Sequence, residues 1–291
     1  MKHLFSFLVS ALYLLPTSSF ADAKTIRFAV TDISGLEELH REFQAFQNKL
    51  SEFTGMKVEL TPVSSRTAVA EALRTKKLDL ALSGPAEYVV ISKRTKAYPV
   101  VGFYRPDYFS AIITLKKNQI SNISELKGKK IAFGEIGSTS YYLAPLQILK
   151  DNGLNPSDVQ PLYVSKNIAW EALKRGSVKA IGFNYERFQL FLSKEKELSE
   201  SDYQILAKGE DLPNDLIIAG THVPKNVVDK IRQAFDQHSD ELSEAILVGI
   251  RNKKYQEMKF TTKIQDKDYD LIRKMYATAG YPEYLNSNEN G

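Results

Sequence analysis

The stretch Gly134-Glu135-Ile136-Gly137-Ser138-Thr139-Ser140-Tyr141-Tyr142-Leu143 follows a short apolar strand at 130–133 and leads into leucines at 143, 146 and 149. Those leucines fall on one face of a helix over 141–150, and Gly153 is placed to cap its end. Strand, glycine turn and helix in succession form the unit from which α/β sheet proteins are built. Ser138, Thr139 and Ser140 occupy the first turn. There the backbone N–H groups lack helical partners and the positive end of the helix dipole faces outward, so an anion is favoured in front of them. Three hydroxyls add hydrogen-bond donors without adding charge. Taken alone, Ser-Thr-Ser is also an ordinary helix cap, and the rest of the chain decides between the two readings.

Working outward, the same alternation continues in both directions. Upstream, strands are expected at 25–30, 57–63, 78–82, 100–104 and 110–115, with helices at 36–53 and 68–74. Downstream, strands at 159–164 and 178–183 enclose a helix at 168–174, and a strand at 203–207 precedes the apolar run 216–219. Helices at 225–235, 241–248 and 267–279 close the chain. The triplet Glu-Ala-Leu occurs at 71–73 and again at 171–173 in matching places of two successive units, which agrees with two related lobes, although it is a common helical triplet. The reading is an α/β protein with two mainly parallel, mixed sheets flanked by helices. One lobe takes residues 22–112 and 213–291, the other 113–212, and the chain crosses between them twice to make a hinge. In such folds a ligand sits outside the carboxyl ends of the strands.

The N-terminus carries Lys2 and His3, an apolar run over 4–15, and Ser19-Phe20-Ala21. This pattern reads as a secretory signal peptide over 1–21, its apolar run too short to span a bilayer. About 270 residues remain, enough for two domains of usual size. The absence of cysteine excludes a disulfide framework and a lipidated cysteine, so a soluble periplasmic protein is expected, monomeric and without stable membrane insertion. A formal net charge of +4, spread over many lysines and acids, is too mild for a nucleic-acid footprint but favours approach of small anions.

Enzymatic readings find little support. The Gly-Ser-Thr-Ser turn lacks the spacing of a nucleophile elbow, His222 and His238 have no recognisable triad setting, and Gly128-Lys129 has no upstream phosphate loop. No pair of histidines has metal-ligand spacing and no acidic metal loop is present, so neither a metal nor a cofactor is expected.

The segments Leu-Asp-Leu-Ala-Leu-Ser-Gly-Pro-Ala-Glu-Tyr (78–88), Leu-Lys-Gly-Lys-Lys-Ile-Ala-Phe-Gly (126–134), Gly-Ser-Thr-Ser-Tyr (137–141) and Phe-Asn-Tyr-Glu (183–186), in this order and spacing, resemble the phosphate/phosphite/phosphonate-binding periplasmic proteins of ABC importers. The resemblance covers most of the chain beyond residue 21. It implies a two-lobed type II periplasmic binding fold that holds a small oxyanion between the lobes and hands it to an ABC permease with its ATPase. Carried over position by position, Ser138, Thr139 and Ser140 match the family's hydroxyl and backbone cradle, Tyr88 a cleft tyrosine, and Glu186 and Asp215 the two carboxylates of the pocket. Tyr141 and Tyr142 follow the cradle, one expected to line the cleft and the other to pack on the sheet.

The chain departs from the family in two places. Arg66, beside Ser64 and Ser65, stands where a tyrosine is common, either as a bidentate clamp on the oxyanion or as a solvated arginine at a helix start. Ser165-Lys166-Asn167 replaces a frequent histidine, and Lys166 reads as a surface residue. Carboxylates beside an anion need a proton or a cation between them. Either a hydrogen-phosphate or hydrogen-phosphite donating its P–O–H proton to Asp215 or Glu186, or the ammonium of an aminoalkylphosphonate sitting between the two acids, meets that need. Without the resemblance, Glu186 reads as a first-turn helix residue and Asp215 as a turn former. A periplasmic sensory subunit controlling a membrane histidine kinase is the alternative to transport, and a periplasmic phosphoesterase a third.

Overall fold

The computed structural model describes residues 25–33 and 35–286, apart from the side chains of Arg66 and Thr67. The proposed signal segment 1–21 lies outside the described residues. The chain runs β1 (Thr25–Val30), α1 (Leu36–Thr54), β2 (Lys57–Leu60), α2 (Arg66–Arg74), β3 (Leu80–Ser83), α3 (Pro85–Thr95), β4 (Tyr98–Tyr104), β5 (Ser110–Leu115) and β6 (Lys130–Phe133). A π-helical turn, Thr139–Leu143, opens α4 (Ala144–Asp151). Then come β7 (Gln160–Tyr163), α5 (Lys166–Lys174), β8 (Ala180–Asn184), α6 (Tyr185–Leu192), β9 (Tyr203–Lys208), β10 (Asp215–Ala219), α7 (Lys225–Gln237), α8 (Ser239–Leu247), β11 (Lys259–Thr261) and α9 (Asp270–Thr278).

Two mixed sheets result, with orders β11-β4-β10-β3-β1-β2 and β7-β6-β8-β5-β9. The strands joined by helical crossovers pair in parallel, β1 with β2 and β3 in one sheet and β6 with β7 and β8 in the other. The two strands that bring the chain across run antiparallel: β5 between β8 and β9, and β10 between β3 and β4. Both have every residue buried, since each is sandwiched within a sheet covered on its two faces.

The lobes therefore part at 105–109 and 209–214. This corrects the sequence reading, which gave residues 110–112 to the first lobe; all of β5 belongs to the second sheet. A strand buried at every residue carries no signal for which of two sheets it joins. The two crossings are tied to each other. The Arg105 amide donates to Asn214 Oδ1 at 2.8 Å, and the Leu212 and Gly209 amides donate to the carbonyls of Tyr108 and Ser110 at 2.8 and 2.9 Å.

Each lobe has an aromatic core, Phe28, Phe43, Phe46, Phe103 and Phe235 in the first and Trp170, Phe183, Phe188 and Tyr203 in the second. A third cluster crosses between them, joining Leu143, Leu146 and Ile148 to Tyr88, Tyr269, Ile272 and Met275. The last helix, α9, is part of it. Thr278 Oγ1 donates to Gln147 on α4 at 2.7 Å, while the Tyr276 hydroxyl donates to the Ala86 carbonyl on α3 at 3.1 Å. The C-terminal helix thus touches both lobes rather than the first alone.

Candidate ligand-binding cleft

Five parallel strands, β1, β3, β6, β7 and β8, end at one cavity of about 770 Å³ between the lobes. Thr31, Ser83, Gly134, Ser165 and Asn184 follow or end these strands and line it, and helices α3, α4, α5 and α6 begin there. A position at the carboxyl ends of strands collects helix N-termini, which is why a cleft there suits anions.

Ser138, Thr139, Ser140 and Tyr141 all line the cavity. The helix they open is wider than an α-helix in its first turn, a π-helical geometry often found at functional sites. Gly134 makes this possible. Its amide donates to the Tyr141 carbonyl at 2.7 Å, and a Cβ added to it would lie 2.3 Å from the Tyr141 Cβ, so the turn folds directly over the end of β6. The amides of Thr139, Ser140 and Tyr141 have no hydrogen-bond acceptor among the described residues. Thr139 Oγ1 accepts from the Ala86 amide of the opposite lobe at 3.1 Å. That bond uses a lone pair and leaves the threonine's own proton to donate. The Ser140 carbonyl accepts from the Ser110 hydroxyl at 2.7 Å, which anchors the turn to β5. Tyr141 packs edge-on against Phe183, and Tyr142 turns away against Tyr163.

Asp215 begins β10 at the hinge, is only 6 % exposed, and lines the cavity. It is held by three neighbours: Arg105 Nη2 and Lys254 Nζ, each at 3.4 Å, and the Tyr255 hydroxyl, which donates to Oδ2. Burial raises its carboxyl pKa, but the charges of Arg105 and Lys254 and the bonds from Tyr255 and Lys254 outweigh burial and hold it below the usual carboxylate range. The acid is therefore neutralised by the protein's own cations. Glu186 also lines the cavity, half-buried in the first turn of α6, and has no hydrogen-bond or ion-pair partner among the described residues.

Sequence reasoning missed the cations. Arg105 sits in the first hinge crossing, 7 % exposed, with its guanidinium 3.8 Å from the centre of the Tyr108 ring and 5.6 Å from that of Tyr255. Its Nε is buried without a partner. Burial works against its charge, yet Asp215, Tyr108, Tyr255 and Glu186 together outweigh burial and hold its pKa above the ordinary arginine value. Lys254 and Tyr255 come from a 3₁₀ segment, Ile250–Tyr255, pinned to α1: the Arg251 amide donates to Glu42 Oε2 at 2.9 Å and Asn252 Nδ2 to the Glu42 carbonyl at 3.0 Å. Gly249 permits this approach, because a Cβ there would stand 2.5 Å from that carbonyl. Nothing local in the sequence brings segments around 105, 215 and 254 together.

One expected residue falls elsewhere. Tyr88 is fully buried on α3, away from the cavity lining; its hydroxyl donates to Asp266 and its ring meets Tyr269 edge-on. The helix turns that position toward α9 rather than toward the cleft. Arg66 opens α2, but its side chain lies outside the described residues. Lys166, expected at the surface, is exposed and at the same time lines the mouth of the cleft. Among the described residues, no group of three or more His, Cys, Asp or Glu is arranged to hold a metal ion, and no helix is long and apolar enough to cross a membrane.

Residues 28–261 match the model of a family described as "ABC transporter, phosphonate, periplasmic substrate-binding protein". The chain belongs to this family. The phosphonate substrate-binding proteins are not enzymes, and their two mixed sheets flanked by helices form the type II periplasmic binding fold found here. The phosphate-import protein PhnD of Mycolicibacterium smegmatis is 23% identical over 244 residues, 77% of this chain and 76% of that protein. PhnD1 of Prochlorococcus marinus, solved in complex with methylphosphonate, superposes with a TM-score of 0.65 at 17% identity, covering 89% of this chain and 99% of that one. The periplasmic aliphatic sulphonate binding protein SsuA of Escherichia coli superposes with a TM-score of 0.60 at 15% identity, covering 89% and 87%. The fold is thus shared by phosphonate and sulphonate binders, and ligand choice is a property of the cleft.

Proposed function

We propose that this protein is the periplasmic solute receptor of an ABC importer and that it captures a phosphorus oxyanion, a phosphonate or phosphite, between its lobes. The observation that carries the reading is Arg105: a buried guanidinium at the hinge whose Nε has no partner, in the same cavity as the unmatched amides of Thr139, Ser140 and Tyr141. A buried donor left without an acceptor costs about 1–3 kcal/mol, which a bound oxyanion recovers. The guanidinium fork fits two oxygens of a tetrahedral acid, and the amides fit a third. Closure follows from the same geometry, since the Thr139 hydroxyl already reaches Ala86 across the cleft.

The acids favour phosphorus over sulfur. A hydrogen-phosphonate carries a P–O–H proton that Glu186 can accept, whereas a sulfonate is fully ionised and meets that carboxylate without a proton between them. Glu186 takes this part rather than Asp215, because Asp215 is already matched by Arg105, Lys254 and Tyr255. Calorimetric titration of the mature protein with phosphate, phosphite, methylphosphonate, 2-aminoethylphosphonate and methanesulfonate tests the reading. Heat is expected from at least one phosphorus acid and none from the sulfonate. Silence from every phosphorus compound, or tighter binding of the sulfonate, would overturn it.

A further inference from the structure

The cavity of about 770 Å³ is far larger than the cradle around Thr139 and Arg105 requires, and it extends to the rim of both lobes. A site of that size has room for a ligand that carries a substituent beyond its tetrahedral head. The rim of the second lobe carries Lys166, which opens α5, and Arg187, in the first turn of α6. Neither side chain has a hydrogen-bond or ion-pair partner among the described residues. The first lobe contributes Arg251, whose guanidinium is tied on one side to Glu38 at 2.6 Å and to the Asp32 carbonyl at 3.2 Å.

The acids nearby leave this rim positive. Glu135 stands beside Lys166, but burial and the charges of Arg187, Arg251 and Lys254 prevail and hold the Lys166 ammonium below its ordinary range. Glu186, although next to Arg187 in sequence, acts on Arg105 and Tyr141 in the inner cradle. Lys166 and Arg187 therefore share the mouth with Arg251 and Lys253 of the other lobe, where Asp32, which is 3.9 Å from Arg251 Nη2, and Glu87 and Glu135 offset these cations only in part. Bringing the lobes together brings like charges together, which costs free energy unless an anion is interposed.

Resting on the function proposed above, we infer that the cleft has an outer anion subsite formed by Lys166 and Arg187 facing Arg251, and that the ligand is a phosphonate whose substituent carries a carboxylate. The phosphonate occupies the inner cradle and the carboxylate bridges the rim cations. An ammonium substituent would meet repulsion there.

Calorimetry on the mature protein with three phosphonates of similar length tests this: 3-phosphonopropionate, propylphosphonate and 2-aminoethylphosphonate. The carboxylate compound should bind at least about tenfold more tightly than the propyl compound, about 1.4 kcal/mol, with the ammonium compound weakest. Its advantage should shrink with added salt, as expected for partly exposed charges. In a Lys166→Ala/Arg187→Ala double variant the ratio between the first two ligands should fall below about threefold. Equal affinity of the carboxylate and propyl compounds for the unaltered protein, or tightest binding of the ammonium compound, overturns the subsite while leaving the function standing. No heat from these three and none from methylphosphonate overturns both.

Discussion

Replacing Arg105 by methionine separates a binding role from a structural one. In the free protein, Arg105 Nη2 lies 3.4 Å from Asp215 Oδ1, worth about 5 kcal/mol of Coulomb attraction at an effective dielectric constant of about 20. Against that stand the several kcal/mol needed to strip water from a guanidinium and a penalty of about 1–3 kcal/mol for its unmatched Nε. Asp215 would still keep Lys254 at 3.4 Å and the Tyr255 hydroxyl. The change in folding stability should therefore stay within about 2 kcal/mol of zero, below the 3–5 kcal/mol usual for breaking a buried pair. Binding should suffer far more. Two charge-assisted hydrogen bonds to a phosphonate are worth about 1.5 kcal/mol each at the low end, so about 3 kcal/mol, or roughly 150-fold in Kd, should be lost. Arg105→Lys should recover less than about tenfold, because an ammonium lacks the fork. Titration calorimetry with methylphosphonate and urea unfolding of the same preparations give both numbers. A Kd within threefold of the unaltered protein would refute a ligand contact. A stability loss above 4 kcal/mol would show that the guanidinium serves the hinge instead.

Thr139→Val keeps the side chain's shape but removes the acceptor for the Ala86 amide and a donor to the ligand; a loss of about 1–3 kcal/mol in binding is expected by calorimetry, with the lobes scattering X-rays as a more open pair. Gly134→Ala forces a Cβ to within 2.3 Å of Tyr141 Cβ, so urea unfolding should show about 1–3 kcal/mol of destabilisation together with weakened binding. Asp215→Asn leaves Arg105 buried without its counter-charge, while Lys254 keeps Asp32 at 3.4 Å, and should cost about 3 kcal/mol at pH 7. Because the native Asp215 carboxyl is held below its unfolded value of about 3.9, its contribution is complete above that pH and lost as pH falls. The gap in unfolding free energy between Asp215→Asn and the unaltered protein should therefore close below about pH 4; a gap that is unchanged down to pH 2.5 would contradict the charge pairing.

The turn at 134–143 was legible because its chemistry is local: a glycine, three hydroxyls and a helical leucine stripe lie within twenty residues of each other. Strands β1 to β10 were legible for the same reason, whereas the three-residue edge strand β11 was not read. Helix α3 was not read, since Tyr88-Val89-Val90-Ile91 is strand-like in composition and the helix is buried around much of its circumference, which erases the one-sided stripe of a surface helix. Glu186 and Asp215 came only from the resemblance, because a first-turn acid and a turn acid are ordinary on their own. Arg105, Tyr108, Lys254 and Tyr255 left no trace at all. They converge from the hinge and from a 3₁₀ segment over 140 residues further along the chain, and only the pairing of β4 with β10 and the docking of Ile250–Tyr255 on α1 brings them to one place.

The C-terminal helix has a consequence for motion. It is fastened to α4 through Thr278 and Gln147 and to α3 through Tyr276 and the Ala86 carbonyl, so it joins the two lobes like a leaf spring bolted at two points. Opening the front of the molecule must drag one bolt past the other. Packed side chains slide only an ångström or two before they lose register. Any separation of the lobes must accordingly slide α9 against α3 or α4, so the tail of the chain shares with the hinge in setting how far they part.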